Sequence, residues 1–211
     1  MINDLLSASI QQFKADCLQL CEQHYPTVHN RGMRGDHLGK ALCRRIVSTL
    51  NQADIPAQVQ VVAHQNTADQ PVFRLDAPHF TLWVIAHRLV SANLARRESL
   101  ITAVETVKAT YLNQPHAHPH YLILVADHWF DRSKASKEIP AWWLGQLPEN
   151  TEDYLADGIR LLGCEHSLPQ TLTQRLTLPD GERQIHHPLK RHSGSKTVHR
   201  YLLLTALYPL S

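Results

Sequence analysis

The period of the apolar residues changes twice along this chain, and that change constrains the fold more than any other feature. Over 36–50 the apolar positions Leu38, Ala41, Leu42, Ile46, Val47 and Leu50 repeat at helical spacing, with Asp36 as a helix N-cap. After Pro56 the period falls to two. QVQVVAH (58–64), VFRLD (72–76) and TLWVIAHRL (81–89) read as strands, with a turn at APHF (77–80). Helical spacing returns over 94–112 through Leu94, Leu100, Ile101, Val104, Val107 and Tyr111. YLILVAD (121–127) then carries enough apolar residues for a strand buried on both faces. A further amphipathic helix is predicted over 2–23. Short turns predict antiparallel pairing of the first three strands, and the helix before 121–127 predicts a crossover that returns parallel. The order α-α-β-β-β-α-β predicts one α/β domain over 1–211, a mixed β-sheet flanked by helices.

The rest of the chain is less regular. Residues 129–143 read as a polar loop flanked by aromatics, and 151–162 as a helix with a short strand. Residues 198–210 are apolar and read as a final strand or helix. Trp129, Trp142 and Trp143 bracket the loop and either pack beneath it or stack on bases or a partner.

Hydrophobic residues are 43% of the 211, enough to bury a sizeable core. The net charge of +2 and a pI near 8.4 are milder than the footprint of a strongly basic nucleic-acid binder. No apolar run has the length of a membrane span, and the first residues lack the basic start of a signal peptide. The expectation is a soluble cytoplasmic protein with no membrane partner. The four cysteines form no C-x-x-C pair, which predicts reduced core thiols. Cys17 and Cys21 with a histidine are the alternative, a structural zinc site. Most of the fifteen histidines stand apart, but PHAHPHY (115–121) and HHPLKRH (186–192) are clusters. The first reads as a solvated loop or an adventitious metal binder.

Residues 33–143 resemble the PD-(D/E)XK nuclease superfamily, a restriction-endonuclease-like core, with 144–211 as an irregular extension. GMRGDHLGKALCRRI (32–46) matches its leading helix, FRLD (73–76) the strand ending in a metal-binding aspartate, and WVIAHRL (83–89) the strand that carries E-x-K. The resemblance implies that carboxylates from neighbouring strands hold magnesium and polarise a phosphate. Asp76 falls at the aspartate, Ala86 at the glutamate and Arg88 at the lysine. Alanine binds no metal, and arginine stays protonated. The resemblance therefore implies a non-catalytic protein that needs no cofactor and binds DNA, RNA or a protein partner. A divergent magnesium-dependent nuclease is the alternative, with Asp36 joining Asp76 as ligand; Glu98 and Glu105 are further acids. An inhibitor without any nucleic-acid role is a third possibility. The nucleic-acid contacts are predicted in 183–200, at Arg183, Lys190, Arg191, Lys196 and Arg200, whose positive groups suit phosphates.

Overall fold

Leu6, Ile10, Phe13 and Cys17 recur every three to four residues, and they form the buried stripe of helix α1 (Ile2–Gln23). Helix α2 (Gly35–Gln52) buries Leu38, Leu42, Ile46 and Leu50 in the same way. The two stripes pack together, and Arg45 of α2 grips Asp16 of α1 with two hydrogen bonds of 2.6 and 2.7 Å. The structure is a computed structural model that describes residues 2–23, 35–62, 71–89, 92–113, 117–190 and 196–210.

Strands β1 (Gln58–Val62), β2 (Val72–Ala77) and β3 (Phe80–Arg88) form an antiparallel meander. Helix α3 (Leu94–Leu112) then crosses over to β4 (His120–Trp129), which lies parallel to β3. Asn93 caps α3 by accepting the Arg96 N–H at 3.0 Å. This stretch follows the predicted order. The α/β class, with a mixed sheet flanked by helices, is what the structure shows.

The C-terminal part departs from the expectation of an irregular extension. The 129–143 loop is largely helical, as α4 (Lys134–Lys137) and α5 (Ile139–Leu144). Helices α6 (Thr151–Ala156) and α7 (Leu168–Leu176) follow, and among the described residues 157–167 form no strand. Gly145 ends α5 at φ 90°, a left-handed cap that costs glycine little. Strands β5 (Glu182–His186) and β6 (Tyr201–Leu210) complete a six-stranded sheet of order β1-β2-β3-β4-β6-β5. The last strand is thus inserted beside β4 over ten paired positions, Trp129↔Tyr201 to His120↔Leu210. Its side chains are apolar on both faces, which suits an interior position and no edge.

Two cores result. On one face α1 and α2 cover Phe73, Leu75, Leu82, Val84, Ala86, Ile123, Val125 and Leu203. On the other, α3, α5 and α7 cover Trp83, Ile85, Leu122, Leu124, Leu204 and Tyr208. Trp142 and Trp143 belong to this second core, and the Trp143 Nε1–H donates to Thr205 O at 3.1 Å. Cys17 and Cys43 are buried in the core, and burial pushes the Cys43 thiol up to about 12. The Cys21 side chain lies outside the described residues. Among the described residues, no helix is long and apolar enough to cross a membrane.

Candidate functional site

Strand register decides which of the predicted site residues meet. Asp76 pairs with Thr81, whereas the Ala86 N–H donates to Pro71 O at 3.2 Å. Five residues of strand, ~16 Å, separate Thr81 from Ala86. Parity separates them further. Asp76 is in step with Arg74 and Val72 on the α3 face, while Ala86 and Arg88 alternate onto the α2 face. Asp76 and Arg88 therefore lie at opposite ends and on opposite faces of the sheet, and they form no common site.

Each of these residues is explained by its neighbours. Asp76 Oδ1 accepts from Arg74 Nε at 2.9 Å and from Thr81 Oγ1 at 3.0 Å. Thr81 Oγ1 also lies 3.0 Å from His118 Nε2. Trp83 Nε1 donates to His120 Nδ1 at 3.3 Å, and the His118 and His120 rings stack at 5.6 Å. The described histidines of the 115–121 cluster thus seal the lower end of the sheet. His116 lies outside the described residues. Ala86 is small because α2 crosses directly above it. A Cβ on Gly39 would stand 2.8 Å from Ala86 Cβ and 2.4 Å from the Phe73 ring. Asp36 lies in the first turn of α2, and its side chain is outside the described residues. Glu98 and Glu105 both hold Arg175 of α7, at 2.5 and 2.6 Å.

The carboxylate that register sets beside Arg88 is Asp127, at the end of the most strand-like segment of the sequence. Across the upper end of the sheet one row runs Arg88, Asp127, Leu203, His186, all on the α1–α2 face. Asp127 is buried, and its Oδ2 accepts from the Tyr201 hydroxyl at 3.1 Å. His186 Nε2 lies 2.9 Å from Thr205 Oγ1.

Beside this row, between α1 and the segments flanking β5 and β6, lies a cavity of about 600 Å³. Gln11 and Lys14 come from α1, and His186, His187, Lys190 and His199 from the opposite wall. Two hydrogen bonds hold α1 against β5, Ser7 to Glu182 at 3.0 Å and Gln11 to Gln184 at 2.8 Å. Behind the imidazoles, Tyr154 OH lies 2.8 Å from His187 Nε2. Asp157 is buried, accepts the His199 backbone N–H at 2.8 Å and stands 3.5 Å from His199 Nδ1. Burial is the main cause that lowers His186 and His187 to about 4, assisted by Lys14 in the first and by His199 in the second. Both rings are neutral at physiological pH, each with one N–H to donate. Among the described residues, the fixed cations lining the cavity are Lys14 and Lys190. Among the described residues no carboxylate lines it.

Among the described residues of the predicted basic strip, Lys190 alone reaches this cavity. Arg183 is held by Asp180 at 2.7 Å and lies out of step with His186. Arg200 donates to Asp157 O at 3.3 Å, and Lys196 stands 3.9 Å from Asp157 Oδ1. Arg191 lies outside the described residues. Lys14, Asp127, Tyr154 and Asp157 were invisible to motif reasoning, since they are scattered through the chain and meet only in the fold. The HHPLKRH cluster was the one sequence signal that pointed here.

Compared with protein-family models and with curated proteins, the chain matches none.

Proposed function

We propose that this protein binds nucleic acid without cleaving it, on a scaffold of the restriction-endonuclease-like kind. The order α2-β1-β2-β3-α3-β4, with a meander followed by a parallel strand, supports the scaffold. The observation that carries the binding is the cavity in which Lys14 and Lys190 converge from sequence-distant segments with no lining carboxylate among the described residues. Phosphate contacts need only such cations and neutral donors. Metal chemistry needs clustered carboxylates, and Asp76 is tied to Arg74 and Thr81 far from Ala86 and Arg88.

Fluorescence anisotropy with labelled DNA and RNA oligonucleotides over a salt series tests the proposal. Dissociation constants of ~10⁻⁶–10⁻⁴ M that weaken with salt are expected. Replacing Lys14 and Lys190 together by alanine is expected to weaken binding tenfold or more and to flatten the salt slope by about two. An unchanged slope in that variant would overturn the binding surface and favour a protein partner. Incubation with magnesium is expected to leave both nucleic acids intact. Degradation that Asp76→Asn abolishes would overturn the non-catalytic half.

A further inference from the structure

The cavity beside α1 is half open to solvent, and its charge and size narrow what it can hold. Its cations stand on two walls, Lys14 on α1 and Lys190 beyond β5. His187 and His199 line the same wall as Lys190, and they are backed by Tyr154 and Asp157, both buried. Leu18 and Pro188 add apolar surface to the same lining. Two lysines match a group of charge about −2, the charge of a phosphomonoester near neutral pH. A phosphodiester inside a strand carries only one charge. A space of 600 Å³ falls within the ~300–1,000 Å³ of small-ligand pockets, so it holds a phosphate together with an attached sugar and base.

We propose that the cavity recognises a phosphomonoester borne on a nucleotide, so that the protein reads phosphorylated ends in preference to the middle of a strand. The inference rests on the nucleic-acid reading above and narrows it. The lysines hold the dianion, the imidazoles of the lining offer hydrogen bonds, and the Leu18–Pro188 surface takes the less polar face of the nucleotide. Behind the imidazoles, buried Tyr154 and Asp157 hold His187 and His199 in place, and the exposed Lys196 and Arg200 reach Asp157 from the solvent side.

The test compares one oligonucleotide sequence in three forms, with a 5′-phosphate, with a 3′-phosphate and with hydroxyls at both ends. Calorimetry with a nucleoside monophosphate and with inorganic phosphate runs beside it. At least one phosphorylated form is expected to bind ten times tighter than the hydroxyl form, and the preference is expected to vanish in Lys14→Ala/Lys190→Ala. Circular dichroism of that variant verifies that it is folded, and Lys14→Arg is expected to keep the preference. Saturable binding of the free monophosphate, lost in the same variant, with no advantage for any strand end also supports the phosphomonoester cavity and assigns it a free nucleotide. Equal affinity for all three oligonucleotides with no monophosphate binding would overturn the inference. If the lysine variant still weakened binding in that case, the broader nucleic-acid reading would survive it.

Discussion

Ala86 shows how a residue can look like a missing functional group and be a packing requirement. In a motif its methyl stands where a carboxylate is expected. In the fold it lies beneath α2 at the point of closest approach, with Gly39 above and Phe73 beside it. A longer side chain has no room there, and a carboxylate has no partner. Ala86→Glu is expected to lower stability by at least ~3 kcal/mol, because it combines overpacking with an unpaired buried charge. Urea denaturation measures it. A variant as stable as the parent, or one that gained a magnesium site, would show that position 86 faces open space. Asp76 is the converse case. It is a half-buried strand-end carboxylate with two partners, a structural part of the lower rim.

The strands differ in how much of the fold they hold. Central β4 is covered on both faces, and Leu124 is fully buried between α3, α5 and the neighbouring strands. Edge strand β1 is exposed from Gln58 to Val61, with Val61 at 64% exposure. Leu124→Ala is expected to cost ~2–5 kcal/mol, since it removes a buried isobutyl group and leaves a cavity. Val61→Ala is expected to cost within about 0.5 kcal/mol. The midpoints of thermal or urea unfolding compare the two, and equal costs would contradict the strand order. The same contrast shows what was legible in the sequence. YLILVAD announced its central position by being apolar on both faces, and the helices announced their stripes. QVQVV alternates cleanly, but periodicity cannot tell a sheet edge from a half-buried strand.

At the scale of the whole molecule, buried imidazoles set the acid limit of the fold. Burial is the largest cause that lowers His87, His186 and His187 from 6.5 to about 4, and His128 moves in the same direction. These rings are neutral in the folded state and protonate more readily once unfolded. Between about pH 6.5 and pH 4 the unfolded chain binds more protons, so stability is fully present above the unfolded value and falls as pH falls through this window. Thermal midpoints at pH 7.5, 6.0 and 5.0 are expected to decline, with a shallower decline for His87→Gln. A midpoint that stays constant to pH 5 would contradict neutral burial of these rings. By itself the sequence determined the α/β class, the helical stripes and the order of the first seven elements, because each rests on a local period of apolar residues. The tertiary structure alone decided which polar groups meet. The tight turn after Ala77 sets Asp76 opposite Thr81, and that register sends Ala86 and Arg88 to the other end and face of the sheet. The insertion of β6 beside β4 brings Tyr201 to Asp127, and the flanking segments bring His187 and His199 to face Lys14 across the cavity. Such meetings depend on strand order and on pairings between strands 72 to 90 residues apart, which no local pattern encodes.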